Sequence, residues 1–219
     1  MCDPHRINRE NCLVYSIGAR LEHSFESAVA GGLGMSILIF ALCIFLVPSC
    51  HLYLNKSCIL GCEIHTFDPF WNKTQAYPVK KATYHLLGVA SNPENRLVKG
   101  KEYQMMTLPS IVKLLGHMDK VIDILKIDIE GEEYDLLKPS LFESLKQMGV
   151  TIRQLLIEVH HSVGVRKLFH TLKQENFLIF HKEPNTMADA NCTEYSFINV
   201  SLGCELSETV VHHPTIYYT

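Results

Sequence analysis

The feature that most constrains this chain is the alternation of apolar runs with helical patterns. "VIDILKIDI" (121–129) and "IRQLLIEVH" (152–160) are nearly continuous apolar runs, which is typical of strands covered on both faces. Between them, "EEYDLLKPSLFESLKQMG" (132–149) has a helical pattern that is broken at Pro139. Alternating strands and helices indicate βαβ units and a mainly parallel sheet. The 219 residues are enough for one such α/β domain with a sizeable core.

The same patterns continue along the chain. Further strands are predicted at 12–18, 62–69, 83–91, 177–183 and 194–200. Further helices are predicted at 24–30, 107–118 and 164–176, and a loop at 92–101. We expect the last strand to be antiparallel to the rest of the sheet.

Composition excludes several classes of protein. With 47% hydrophobic and 20% charged residues, the chain is not disordered. A net charge of −3 gives no electrostatic reason to expect a nucleic-acid partner. The eight cysteines show no zinc-finger spacing and are too few for a disulfide scaffold.

One apolar segment does not fit the α/β pattern. No Asp, Glu, Lys or Arg occurs between Ser27 and Asn55, and residues 35–54 have the length and hydropathy of a membrane-spanning helix. The segment falls inside the first crossover connection, which has to pack back onto the sheet. If it is a real anchor, the protein is a membrane protein and the fold loses its first strand.

Two other interpretations of this segment are an insertion, such as translated intron, and an unusually apolar buried helix interrupted by Pro48. We favour the insertion, because joining the flanking residues restores a helix, a glycine stop and a strand. The predicted organisation is a first strand and helix at 1–30, the apolar segment at 31–60, the rest of the domain at 61–205 and a tail at 206–219. Without an anchor, the domain is soluble, in the cytoplasm or the secretory lumen.

Candidate ligand-binding residues follow the predicted strands. In open parallel sheets, ligands bind beyond the carboxyl ends of the strands. This rule places the residues Gly18, Asp68, Ser91, Asp128 and His160 along one edge of the sheet, which we call the rim.

Two rim residues have both a binding and an ordinary structural interpretation. Gly18 lets the backbone approach a ligand closely, although glycine is also common where a strand meets a loop. Asp68 could accept hydrogen bonds from ribose hydroxyls, as acids at this position do in dinucleotide-binding folds. The alternative for Asp68 is a simple Asp-Pro turn.

Five acids lie close together after the strand at 121–129. Glu132, Glu133 and Asp135 fit a solvated helix start, where acids oppose the helix macrodipole favourably. Asp128 and Glu130 precede that helix and fit this interpretation less well. The pair could hold one Mg²⁺ ion, although we do not expect a metal.

Glu158 and His160 end the next strand. A histidine at that place is a candidate general base for a hydroxyl group, since imidazole takes up a proton near neutral pH. The alternative is a histidine that serves packing alone.

Seven motifs, in this order, resemble FkbM-type S-adenosylmethionine-dependent methyltransferases, and the animal branch of methyltransferase-like proteins in particular. The motifs are "LVYSIGARLEHSFESA", "EIHTFDP", "LLGVAS", "TLPSIV", "ILKIDIEGEEYDLL", "LLIEVH" and "EYSFIN". The resemblance covers residues 12–30 and 61–200, and "KIDIEGEE" is its most specific part.

The resemblance implies a Rossmann-like fold, S-adenosylmethionine as cofactor and methyl transfer to an oxygen. The cofactor-binding residues that it implies are Ser16, Gly18, Asp68, Ser91 and Asp128, where Ser16 replaces the usual acid. The catalytic residues are Asp128, Glu130 and His160. The sequence contains no recognisable pattern that identifies the methyl acceptor, which is a small molecule, a glycan or a protein.

A non-catalytic alternative is also open. Ser16 and Glu22 depart from the family's first motif, and the apolar segment interrupts the domain. A degenerate methyltransferase-like binding module, with or without a membrane tether, would have these features.

Overall fold

The structure, a computed structural model, describes residues 7, 11–18, 62–70, 82–98, 100–160, 164–184 and 192–202. The strands are β1 Leu13–Ile17, β2 Glu63–Phe67, β3 Ala82–His85, β4 Gly88–Val89, β5 Glu94–Val98, β6 Lys101–Met106, β7 Val121–Ile127, β8 Thr151–His160, β9 Phe177–Pro184 and β10 Cys192–Asn199. The helices are α1 Leu108–Leu114, α2 Glu133–Leu136, α3 Pro139–Gln147 and α4 Val165–Gln174, and a 3₁₀ turn spans Val200–Leu202.

The main sheet has seven strands in the order β3-β2-β1-β7-β8-β10-β9. The first five strands in this order pair in parallel. β10 runs antiparallel to both of its neighbours. The predicted α/β class, with a mainly parallel sheet and an antiparallel last strand, is therefore confirmed.

β1 lies in the interior of the sheet, between β2 and β7. Its place there contradicts the anchor interpretation in one respect, because that interpretation removed the first strand from the fold. In the ranges that the structure describes, no helix has the length and hydropathy needed to cross a bilayer. The predicted helix at 24–30 and the apolar segment lie outside these ranges.

The prediction was wrong between residues 83 and 101. The single strand expected at 83–91 is two strands in different sheets, because β3 pairs with β2 whereas β4 pairs with β6. The loop expected at 92–101 contains β5 and the turn into β6, and the two strands pair antiparallel. Most side chains of this small sheet are exposed or half-buried, so its sequence lacks an apolar signal.

The helices follow their sequence signals closely. Thr107 caps α1, where its Oγ1 accepts a hydrogen bond from Ser110 N at 3.3 Å. The helix ends at Leu114 rather than residue 118, because the backbone turns at Gly116 with φ +70°. The helix predicted at 132–149 is divided into α2 and α3 before Pro139, as expected.

The sheet buries apolar side chains on both faces. Leu13, Tyr15 and Ile17 alternate toward the larger cluster, which also receives side chains from α1, α3 and α4. Val14 points to the opposite face, into a smaller cluster with Ile64 and its neighbours. The continuous apolar runs are thus explained by burial on both faces.

Cys12 and Cys62, the residues just before β1 and β2, form a disulfide bond. No sequence pattern indicates this pair, because the two cysteines are 50 positions apart. Disulfides persist in oxidising compartments.

Candidate functional site

The rim of the sheet is held together by backbone hydrogen bonds beyond the strand ends. Gly18 N donates to Phe67 O at 3.0 Å, and Asp128 N donates to Ile17 O at 3.0 Å. Asp68 N donates to His85 O at 3.1 Å. These bonds place Gly18, Asp68 and Asp128 side by side, as the parallel register predicted.

Gly18 occupies a position that no other residue could take without distortion. Its φ is +88°, in the left-handed region that favours glycine. A Cβ atom added here would lie 1.7 Å from the carbonyl oxygen of Asp128. The loops that follow β1 and β7 therefore approach each other so closely that no side chain fits between them at this position.

Asp68 forms the turn that was one of its two interpretations, and its second oxygen leaves the other interpretation open. Its Oδ1 accepts a hydrogen bond from Phe70 N at 2.7 Å, which is the Asp-Pro turn. Its Oδ2 is buried and finds no partner among the described residues. A buried carboxylate oxygen without a donor is costly, so this atom is suited to a ligand hydroxyl.

The two candidate serines are placed differently from each other. Ser16 lies inside β1, is completely buried, and pairs in register with Thr66 and Lys126. Its Oγ is also without a partner in the described part of the chain. Ser91 is exposed after β4, where its Oγ accepts a hydrogen bond from Asn92 at 3.4 Å.

The acidic turn after β7 is closed by Glu133. Glu130 and Gly131 both have positive φ, 59° and 101°, so the chain reverses sharply between β7 and α2. Glu133 Oε1 accepts hydrogen bonds from Ile129 N at 3.2 Å and from Gly131 N at 3.1 Å. The interpretation of Glu133 as a solvated residue was wrong, because its side chain is fully buried.

His160 faces this turn from the end of β8. Its Nδ1 lies 3.1 Å from Glu133 Oε1, and its Nε2 lies 3.5 Å from Glu130 Oε2. Tyr134 Oη donates a hydrogen bond to the backbone oxygen of His160. Because Glu133 Oε1 already acts as an acceptor for two amides, Nδ1 is the donor, and Nε2 is directed toward the acidic turn.

Asp128 titrates well above the usual range of an aspartate. Burial raises its pKa to about 6, although Lys126 Nζ, 3.6 Å from its Oδ2, opposes the shift. A hydrogen bond with Glu158 and the charges of Glu158 and Glu130 raise the pKa further. Perturbed carboxyl groups of this kind are concentrated in functional sites.

A comparison with family models identifies the family of this chain. The model described as a methyltransferase domain matches residues 1–46 and 54–199, which is most of the chain. The chain belongs to the methyltransferase domain family. The match agrees with the predicted family at this level, whereas the FkbM-type assignment stays a prediction.

Two curated relatives are similar to this methyltransferase domain. The chain is 26% identical over 195 residues to the probable methyltransferase-like protein 24 of Rattus norvegicus and, to the same extent, to that of Homo sapiens. The alignments cover 81% of this chain and 44% of each relative. The chain thus spans less than half the length of these relatives.

Two groups of side chains on the rim of the methyltransferase domain have metal-binding geometry. Asp128, Glu130 and His160 bring their ligand atoms within 4.8 Å of one another, and so do Glu158, His160 and Cys192. Both groups share His160, so they are alternatives around one imidazole. The first group is richer in oxygen, which is the ligand that Mg²⁺ prefers.

Three features of the site were not predicted. Glu133 acts as the internal acceptor of the turn, and only its position after Gly131 hinted at this role. Cys192, on β10, donates its thiol hydrogen to Glu158 Oε1 at 2.7 Å, and burial raises the pKa of this thiol to about 12. Arg96, in the predicted loop, pairs with Glu132 through a contact that depends on the unpredicted strand β5.

Proposed function

We propose that this domain transfers a methyl group from S-adenosylmethionine to an oxygen atom of an acceptor. The observation that carries the proposal is the pair of Glu133 and His160 beside the acidic turn. The Nε2 atom of His160 lies at the rim, next to Glu130 and close to Asp128. An imidazole oriented by a buried carboxylate is suited to remove a proton from a hydroxyl group.

Asp68 is the cofactor contact with the strongest structural support, because its buried Oδ2 supplies an acceptor for a ribose hydroxyl. Gly18 belongs to the cofactor-binding loop by its position after β1, and the space of its missing side chain is filled by the carbonyl oxygen of Asp128. Asp128 and Ser91 are the remaining candidate contacts, whereas Ser16 would act from inside the strand. S-adenosylmethionine, when bound, supplies a methyl group already activated by the sulfonium charge.

The protein's own contribution is to bind, orient and deprotonate the acceptor. Glu133 holds the proton on Nδ1 of His160, so that Nε2 is free to take the acceptor's proton. Asp128 and Glu130 accept hydrogen bonds from the acceptor's hydroxyl groups and orient them. Holding both reactants in this geometry is the main source of rate for a donor that is already activated.

A metal would act at the same place. Asp128 and Glu130, with His160, would hold a single Mg²⁺ ion next to paired oxygens of the acceptor. The proposal does not require the ion, because His160 and Glu133 supply the proton acceptor without it. The acceptor class is a small molecule, a glycan or a protein with a free hydroxyl group.

The experiment separates cofactor binding from methyl transfer. Calorimetry with S-adenosylmethionine should show binding by the wild-type chain, and Asp68→Ala should weaken it by about 1.5–3 kcal/mol through loss of a charge-assisted hydrogen bond. Transfer of a labelled methyl group to pooled metabolites, glycans and proteins should be strongly reduced by His160→Gln and Glu130→Gln. Neither of these two substitutions should greatly change the cofactor's affinity.

Glu132→Gln is the matched control. Glu132 lies in the same turn but pairs with Arg96 on the surface, so its neutralisation should change methyl transfer little. A folded wild-type chain that does not bind S-adenosylmethionine would instead support the degenerate binding module. Equal and small effects of Glu130→Gln, His160→Gln and Glu132→Gln would contradict the assigned roles.

A further inference from the structure

A third cluster of metal-binding side chains lies near the amino end of β2, away from the rim. Glu63 begins β2, His65 lies two residues further on the same face, and His117 follows α1. Glu63 Oε1 is 2.9 Å from His65 Nε2 and 3.2 Å from His117 Nε2. We propose that these three residues bind one divalent transition-metal ion, and that this ion is Zn²⁺.

The spacing of the ligand atoms suits such an ion. All three atoms lie within 4.8 Å of one another. Tetrahedral Zn²⁺ with bonds near 2.0–2.1 Å places neighbouring ligand atoms about 3.3 Å apart. The two distances from Glu63 Oε1, 2.9 Å and 3.2 Å, lie just below this value. Water completes the fourth position.

Each ligand histidine is held by a second hydrogen bond through its other nitrogen. His65 Nδ1 lies 2.9 Å from His85 Nε2, and His117 Nδ1 lies 2.7 Å from Tyr15 Oη. In protein metal sites, the ring nitrogen opposite the metal almost always donates to a carboxylate, a backbone carbonyl or water, which fixes the tautomer and the ring orientation. Here His85 Nε2 and Tyr15 Oη would be the acceptors. His85 and Tyr15 therefore act as positioning residues.

The outer partners are themselves fixed by packing. The ring of His85 stacks on Phe67, with centroids 4.8 Å apart and planes inclined by 13°. Tyr15 belongs to the core of the sheet and is fully buried. A metal site needs its ligands held in place before the ion arrives, and these contacts provide that support.

The three ligands differ in exposure, and this difference leaves the ion one side from which to enter. His65 and His117 are buried, with 6% and 3% of their surfaces exposed. The side chain of Glu63 is 54% exposed. The ion would enter past Glu63 and reach two imidazoles that are shielded from water on their other sides. Its nitrogen and oxygen donors match the ligand types that Zn²⁺ accepts.

The alternative is a hydrogen-bonded network without a metal. Glu63 would then accept from both Nε2 atoms, and the Nδ1 atoms would accept from His85 and Tyr15. Without the ion, each of the two histidines carries its proton on Nε2; with the ion, the proton is on Nδ1. Binding of the ion therefore changes the tautomer of each imidazole and not its charge. The two arrangements therefore differ in whether the chain binds a metal.

The site lies apart from the methyl-transfer site. Glu63 and Asp68 stand at opposite ends of β2, about 16 Å apart for five residues of extended chain. The ion would connect β2 to the loop after α1 and, through the outer partners, to β1 and β3. An ion bound here would stabilise the folded state, because the unfolded chain does not hold these three ligands together.

The test is titration of the full chain, stripped of metal with a chelator, with Zn²⁺ followed by calorimetry. We expect Glu63→Gln and His117→Gln each to abolish one stoichiometric binding event. His160→Gln should leave that event unchanged, although it removes the shared ligand of both clusters at the rim. Circular dichroism of each variant verifies that it is folded.

A second variant tests the outer contact without altering a ligand. Tyr15→Phe keeps the core filled but removes the partner of His117 Nδ1, so Zn²⁺ affinity should fall about 10–100-fold. Absorption of Co²⁺ bound in place of Zn²⁺ should report four-coordinate geometry and should vanish in Glu63→Gln. The proposal is overturned if the folded wild-type chain shows no saturable binding, or if Glu63→Gln and His117→Gln bind as tightly as wild type.

Discussion

Asp128 is an acid whose ionised form the fold disfavours. Its carboxyl group is partly buried next to Glu130 and Glu158, and only Lys126 opposes the raised pKa. One of its oxygens, Oδ1, is buried and has no partner in the described ranges. An acid retained under these conditions is expected to trade stability for activity.

The cost at Asp128 should appear as a dependence of stability on pH. In the unfolded chain an aspartate ionises near pH 3.9, whereas in the folded chain Asp128 ionises at about pH 6. The folded state therefore loses stability as the pH rises through this window, and full stability is present only below it. Asp128→Asn cannot ionise, so it should gain roughly 1–2 kcal/mol over wild type between pH 4 and pH 7, after allowance for solvent screening.

Chemical denaturation at the two pH values measures this difference. Asp135→Asn is the control, because Asp135 lies in the following helix, is exposed and pairs with Lys138. That variant should show the same small difference from wild type at both pH values. A gap between Asp128→Asn and wild type that does not widen with pH would mean that burial does not strain this carboxyl group.

At the scale of elements, three central strands are held in register by one buried acid. Asp123 of β7 accepts hydrogen bonds from Leu13 N of β1 at 3.1 Å and from Arg153 Nε of β8 at 3.0 Å. Only 6% of Asp123 is exposed. A bridge between neighbours on both sides fixes the relative positions of β1, β7 and β8, and with them the rim.

Asp123→Ala should lower the free energy of unfolding by about 2–4 kcal/mol, because it leaves a buried amide and a half-buried guanidinium without their acceptor. Urea denaturation measures the loss. Glu143→Ala, an exposed change on α3, is the control and should cost under about 0.5 kcal/mol. A double-mutant cycle with Arg153→Ala should show coupling between the two side chains, and strictly additive losses would contradict the bridge.

For the molecule as a whole, the feature that matters most is the connection between β1 and β2, because it contains the apolar segment. The two strands are parallel neighbours, and the disulfide between Cys12 and Cys62 joins the positions just before them. A parallel crossover needs about a dozen residues or more. Removal of residues 31–58 leaves residues 19–30 and 59–61 for this purpose, so the rest of the fold does not require the apolar segment.

The chain without residues 31–58 should therefore fold, form the disulfide between Cys12 and Cys62, and bind S-adenosylmethionine as the full chain does. It should also be less prone to aggregation, because a large apolar surface is removed. Peptide mapping without reduction, denaturation and calorimetry test these points. A deletion variant that does not fold would show that the segment belongs to the domain, and an uninterrupted exon across codons 28–62 would defeat the translated-intron explanation.

The fold class and most of the strands that carry the rim could be predicted without the structure. Continuous apolar runs and helix signals are local, so β1, β2, β7 and β8 and the residues that follow them could be located without coordinates. The strands β5 and β6 were missed because they bury little apolar surface, whereas β4 fell within the strand predicted at 83–91. A pattern of hydrophobicity cannot reveal strands that do not contribute to the core.

Which side chains meet became clear only from the folded structure. Glu133 belongs to a helix start by sequence, but the turn at Gly131 directs it inward to His160, which lies on another strand. The disulfide and the cluster of Glu63, His65 and His117 likewise join residues that are far apart along the chain. Such contacts depend on the register and crossing of distant elements, because hydrogen bonds and metal bonds act over a few ångströms in space and not along the sequence.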